Sequence, residues 1–412
     1  MEKKRKVHSL TGRITFPVML GAFRAVKRNR GAAGVDKVSI GMFEGNLEEN
    51  LNALMRDMKT GRFQPLPLRR VYIPKAPRSK RTRPLGIPVV RDRVAQEVVR
   101  RLLQPIFEPL FHVDSYGFRP GRNCHMAIER ALNLHRSGYR IVLDADIKGF
   151  FDNIPHEVIM QLVAERVADG NILNLIQRFL TAGVMDEGVF KPTTVGTPQG
   201  GVISPLLANI VLNQLDWALE VAGFRFVRYA DDFVVFGRSV AQVQEAWTTV
   251  NQTLSFRLGL QLSPEKTRIA TYVEGYEFLG FFLSSRSRRM RDKSLRKFKD
   301  KIRELTLRHR NLEASVITKL NRVIRGTANY FATPFTTDRS RFQKLDSWIR
   351  MRLRCMKYKR KNYNDNRKLR GTYFGRKLGL LTLEGFCTVR DCHGQVHCVI
   401  PRHGATSTGV AR

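Results

Sequence analysis

Apolar residues change period several times along this chain, and each change marks an element. In residues 91–107, Val94, Val98, Leu102 and Ile106 recur at helical spacing on one face. The same spacing returns after a glycine-rich turn, where Leu207, Val211, Leu215 and Ala218 form a stripe. Ser204 is placed to cap that helix and Pro205 to open it. Between these helices the pattern becomes β-like. The run RIVLDA predicts a buried strand over residues 141–145 that enters a loop at Asp146 and breaks at Pro155. FVRYADDFVVF, residues 226–236, predicts a tight hairpin with two aspartates at its tip. Residues 1–60 read as helical. They are followed by a short strand near residues 71–73 and a proline-bounded loop carrying Lys75, Arg78, Lys80, Arg81 and Arg83. A helix over 240–260 and a strand pair over 276–283 complete this part. Beyond residue 284 three helices are expected, over 295–310, 315–332 and 341–361, with mostly Lys and Arg opposite their apolar faces. From residue 362 the chain reads as irregular.

Composition sharpens this picture. A chain of 412 residues with 42% apolar content supports two or three packed domains. Its 72 Lys and Arg stand against 36 Asp and Glu, a net charge of +36, and such a field attracts polyanions. Residues 281–380 alone hold 30 cations and 7 anions, +23 of that total, so the helical half is expected to lie along a nucleic-acid backbone. No segment has the length of a membrane span. Five cysteines and no secretory leader point to a reducing cytoplasm. Near the end, CTVRDCHGQVHC offers Cys387, Cys392, His393, His397 and Cys398 without a Cys-x-x-Cys pair, which favours free side chains over a zinc site. His112, His125 and His156 pair with no nucleophile and are read as packing or solvated histidines.

The candidate chemistry lies in Asp146, Asp231 and Asp232. Paired aspartates in a turn usually mean only local hydrogen bonding. If both strands share one sheet, however, three carboxylates converge, and each like-charged pair at about 4 Å repels by roughly 4 kcal/mol at an effective dielectric of about 20. Bound cations or protonation must relieve that. Oxygen donors in a phosphate-binding environment select Mg²⁺, and two such ions can serve an in-line phosphoryl displacement.

Seven motifs then stand in order: RPLGIP from Arg83, YGFRPGRN from Tyr116, DADIKGFFDNI around Asp146, GTPQGGVISPLLANI from Gly196, YADD from Tyr229, SPEKT from Ser263 and FLGF from Phe278. Together they resemble the reverse transcriptases and maturases encoded by bacterial group II introns, over about Ala22 to about Lys361. The resemblance implies an α+β right-hand polymerase. Residues 1–60 would form an N-terminal extension and the start of the fingers, and 61–283 the fingers and a palm with an antiparallel sheet. Residues 284–361 would form an α-helical thumb or maturase domain, and 362–412 a short basic tail that binds DNA. The family's C-terminal endonuclease is not expected.

The same resemblance implies roles for individual residues. Asp146, Asp231 and Asp232 would be catalytic and would hold two Mg²⁺, with Mn²⁺ as a substitute, joined by the backbone carbonyl of Ile147. Lys75 and Arg83 would clamp the incoming triphosphate. Gln199 and Tyr229 would bind the nucleotide, Phe151 would exclude a ribose 2′-hydroxyl, and Lys266 would protonate the leaving pyrophosphate. Arg119, Arg122, Arg325, Lys344 and Arg352 would contact nucleic acid, and the strand pair at 276–283 would grip the primer. Thr327 stands where relatives usually carry Trp. The implied partners are an RNA template, a DNA or RNA primer, dNTPs, a structured intron RNA and target DNA, in the cytoplasm or at the nucleoid. The implied activity is RNA-directed DNA polymerisation with splicing and retrohoming. Two other readings stay open: a group II-like enzyme freed from its intron for DNA repair or phage defence, and a non-catalytic cofactor that binds structured RNA.

Overall fold

The computed structural model describes residues 6–74, 82–197, 200–362, 364–387, 389–390 and 396–397. It divides into two units, Met1–Thr271 and Tyr272–Arg412.

The first unit opens with helices α1 (Phe16–Arg28), α2 (Ile40–Gly45) and α3 (Leu47–Lys59), followed by strands β1 (Leu68–Pro74) and β2 (Thr82–Ile87). Helices α4 (Val90–Phe107) and α5 (Cys124–Arg136) lead to β3 (Ile141–Asp146). Then come α6 (Phe150–Asn153), α7 (His156–Ala164), α8 (Gly170–Thr181) and the short strands β4 (Val184–Asp186) and β5 (Val189–Lys191). Helix α9 (Ser204–Val221), the hairpin β6 (Arg225–Tyr229) and β7 (Asp232–Gly237), α10 (Val240–Gln252) and β8 (Arg268–Thr271) complete it. Two four-stranded sheets result. One has the order β6-β7-β3-β8 with every neighbour antiparallel, and the other has the order β2-β1-β4-β5.

Local chemistry accounts for several boundaries. Asn123 caps α5, Ser239 caps α10 and Asp169 caps α8, each side chain accepting from a backbone N–H of the first turn. The Asp169 carboxylate also accepts from the N–H groups of Leu10 and Thr11, at 2.9 and 2.7 Å, which pins the N-terminal segment. On α4, Val94 and Val98 are fully buried and Leu102 and Ile106 pack partly buried against the same core. Three expectations are corrected. Ser204 is the first residue of α9 and not its cap, a role taken by the backbone of Ile203. The helix expected to reach residue 260 ends at Gln252 and widens into a π-type turn over Thr253–Arg257. Arg83 lies in β2 and not in the preceding loop.

The second unit holds a three-stranded sheet, β9 (Tyr276–Phe278), β10 (Phe281–Leu283) and β11 (Arg288–Met290), in the order β11-β10-β9. Helices α11 (Asp292–Leu305), α12 (Ala314–Phe331) and α13 (Arg339–Tyr358) follow the three amphipathic stretches of the sequence. The short helices α14 (Asp365–Lys368) and α15 (Gly371–Arg376) come after, and β12 (Val389–Arg390) pairs with β13 (Val396–His397). Residues 364–387 are more ordered than the composition suggested. Leu369, Phe374, Leu380, Leu383 and Cys387 are buried in one core with Phe298, Ile324, Phe342 and Leu353. Asp346 on α13, itself buried, accepts from the N–H groups of Leu383 and Glu384 at 2.8 and 3.0 Å and so ties that segment to the helices. Among the described residues no helix is long and apolar enough to cross a membrane.

Candidate active site

The antiparallel register of β3 and β7 places Asp146 directly opposite Asp232. Asp231 occupies the two-residue turn between β6 and β7, behind Ala230, whose φ is 58°. That turn geometry usually requires glycine, so Ala230 is held there by its surroundings. Burial pushes the Asp231 carboxyl above the usual carboxylate range and the charge of Asp146 adds to the rise, while Arg83 and Lys266 oppose it. Lys266 Nζ lies 2.7 Å from Asp146 Oδ2. Both partners are well exposed, so this pair contributes little to stability. Backbone bonds from Ser263 N–H to the Asp146 carbonyl (2.7 Å) and from Lys148 N–H to the Gln261 carbonyl (2.9 Å) fix the chain on both sides of Ile147. Among the described residues no three His, Cys, Asp or Glu side chains are gathered closely enough to hold a metal. The three aspartates are therefore not drawn into one cluster: Asp146 faces Asp232 in register, Asp231 feels the charge of Asp146, and Lys266 touches Asp146.

The support for this turn went unread in the sequence. Arg228 is fully buried; it donates to Asp216 Oδ1 and Oδ2 at 2.7 and 2.5 Å, to Asn209 Oδ1 at 3.0 Å and to the carbonyl of Ala230 at 2.9 Å. Asn209 and Asp216 lie two turns apart on α9, and Asn209 Nδ2 also donates to the Gly117 carbonyl at 2.8 Å. A Cβ on Gly117 would lie 2.2 Å from the Ala230 nitrogen, so only glycine lets the 114–117 segment reach the turn. Tyr116 N–H to the Arg228 carbonyl (2.8 Å) and Arg228 N–H to the Asp114 carbonyl (3.0 Å) complete the brace. The one signal available beforehand was polar residues, Arg228, Asn209 and Asp216, inside otherwise apolar runs.

A second part of the candidate site is built from the loop before α9. Thr197 N–H donates to the Phe151 carbonyl at 2.7 Å, and Gly196 N–H to the Ile154 carbonyl at 2.8 Å. Buried His156 bonds the Gly196 carbonyl, which makes it a packing histidine. Gly200 approaches the carbonyl of Gly86 so closely that a Cβ would lie 2.2 Å from it, and Gln96 on α4 accepts from Val202 N–H. A cleft of about 360 Å³ opens here, lined by Arg70, Gly86, Asp152, Lys191, Gly196 and Thr197. Phe151 is half-buried, edge-on to the core residue Phe150 at 5.2 Å. Arg83 is exposed on β2. Tyr229 is half-buried and its hydroxyl is pushed up to about 12, first by burial and then by its bond to Cys124. Lys75 and Gln199 lie outside the described residues, as do Cys392, His393 and Cys398.

The expected nucleic-acid contacts divide. Arg325 on α12 and Lys344 on α13 are exposed. Arg119 is corrected: it is buried, bonds Glu108 at 2.8 Å and the carbonyls of His112 and Ser115 at 2.7 and 2.9 Å, and so holds a turn and does not face a phosphate. Arg122 bonds the carbonyls of Val113 and Ser115 and lies 5.3 Å over the Tyr116 ring. Arg352 is half-buried and donates to Thr306 Oγ1 at 3.0 Å and to the Thr306 carbonyl at 2.7 Å, at the C-terminal end of α11.

Residues 73–283 match the family described as reverse transcriptase (RNA-dependent DNA polymerase), and residues 295–374 match the group II intron maturase-specific domain. Protein YkfC of Escherichia coli (strain K12) is 35% identical over 319 residues, 67% of this chain and 82% of that protein. Group II intron-encoded protein LtrA of Lactococcus lactis subsp. cremoris is 40% identical over 195 residues, 47% of this chain and 32% of LtrA, so the match spans about a third of that relative's length. A solved structure described as a partial Cas6-RT-Cas1–Cas2 complex is 23% identical, covers 59% of this chain and 41% of its own, and has a TM-score of 0.37.

Proposed function

This chain belongs to the reverse transcriptase (RNA-dependent DNA polymerase) family and carries a group II intron maturase-specific domain, and on that premise we propose that it extends a primer 3′-hydroxyl with dNTPs copied from an RNA template. One observation carries the assignment of the site. Asp146 and Asp232 stand opposite each other in register, and the Asp231 carboxyl beside them is made less acidic by burial and by the charge of Asp146. Oxygen donors under that mutual repulsion suit a hard cation, which on binding would draw Asp146, Asp231, Asp232 and the carbonyl of Ile147 together as its ligands. When bound, Mg²⁺ would lower the pKa of the attacking hydroxyl and neutralise charge on the departing pyrophosphate.

The remaining roles fall to the chain itself. The 3′-oxygen bonds the α-phosphorus as the bond to the pyrophosphate oxygen breaks, and the hydroxyl proton passes to solvent. Arg83, with Lys75, neutralises the triphosphate. Lys266 leaves Asp146 to protonate the pyrophosphate, Gln199 and Tyr229 pack against the nucleotide, and Phe151 fills the space of a 2′-hydroxyl. The exposed cations of α12 and α13, with Arg122 near the turn, meet nucleic-acid backbone, and the maturase-specific region supports binding of a structured intron RNA. Splicing and retrohoming with target DNA follow from that partner.

Primer extension tests the reading. With poly(rA)/oligo(dT), dTTP and Mg²⁺ the wild-type protein is expected to extend the primer, and Asp231→Ala to reduce extension below detection. RNA binding by a wild type that incorporates no dTMP would leave a non-catalytic RNA-binding cofactor in place of the polymerase.

A further inference from the structure

The segment that braces the catalytic turn carries a residue with no part in the brace. Phe118 has φ of 57° and is the one aromatic among the described non-glycine residues in the left-handed region. Backbone in this conformation strains an aromatic residue, whereas Gly or Asn adopts it with little cost. Both neighbours are fixed. Gly117 is wedged against Ala230 and held by Asn209, while Arg119 is buried in its bonds to Glu108, His112 and Ser115. The anchors impose the strain, and burial of the ring does not offset it, because Phe118 remains 53% exposed.

A strained, exposed aromatic residue asks for a reason other than folding, and its position supplies one. Gly117 touches the backbone that immediately precedes Asp231, so Phe118 starts one Cα step, about 3.8 Å, from that contact. Arg122, four residues on, lies over the ring of Tyr116 in the same segment, and the chain as a whole attracts polyanions. A flat neutral ring in such a place can stack on any base or pack on any sugar without reading sequence, as a polymerase that copies every template requires. We propose that Phe118 is a positioning residue that packs against a base or sugar of the primer–template beside its reacting end. This rests on the polymerase reading above.

Direct contact can be tested with p-azidophenylalanine at position 118. Illumination is expected to crosslink it to a labelled primer or template within a few nucleotides of the primer terminus. Phe118→Gly relieves the backbone strain, so its Tm should equal or exceed that of the wild type while the Kd for primer–template, measured without dNTP, rises roughly tenfold. Phe118→Tyr should restore the affinity. A ring that serves only the fold would give the opposite pattern, a lower Tm with unchanged Kd, and that result, or an absent crosslink, overturns the proposal. Binding is read without chemistry, so loss of extension by the wild type would sink the polymerase reading while the crosslink still decides the contact.

Discussion

Arg228 donates to four oxygens at once with no exposure to solvent. Breaking such a pair from one side leaves Asp216 charged and buried, so Arg228→Ala is expected to cost about 3–5 kcal/mol in chemical denaturation. Replacing both charges, Arg228→Met with Asp216→Leu, should recover most of that stability. Primer extension should stay depressed in the double variant, because the Ala230 carbonyl has lost its donor and the turn holding Asp231 its restraint. Recovery of extension along with stability would mean that the pair only packs. The sequence displayed Asp146, Asp231 and Asp232 openly because acidic residues stand out at strand ends. It concealed Arg228 because a cation in an apolar strand gains meaning only from a partner on another element.

The helices and the central sheet were legible for a related reason: each repeats its period often enough to be seen. Strands β4, β5 and β11 have three residues apiece and no period to repeat, and β1 finds β4 across the distance from Leu68 to Val184. At this scale one titration is also exposed. His135, near the end of α5, is buried with its ring 5.2 Å from Phe236, and burial pushes its pKa down from 6.5 to about 4, partly offset by its bond to the Tyr139 carbonyl. Because the folded state holds the neutral ring, the stabilising contribution is complete above pH 6.5 and is lost as pH falls toward about 4, where the loss amounts to about 3 kcal/mol. His135→Gln, which can still donate to Tyr139, should therefore gain on the wild type in thermal melts between pH 7 and 4. A constant difference in Tm over that window would refute the assignment.

Charge governs the behaviour of the whole molecule. A net +36, concentrated where the amphipathic helices lie, makes RNA affinity a matter of released counterions. With six or more phosphate contacts, raising salt from about 50 to about 200 mM should weaken binding by about a thousandfold, and a flat response in filter binding would contradict the cationic faces. The helical half also teaches where a chain can be cut and rejoined. Because the carboxylate of Asp346 and the core around Phe342 are closed by residues 369–387, any exchange of downstream modules that preserves this core must join after Cys387. A junction at residue 361 would instead leave an uncapped acid and an open apolar trough.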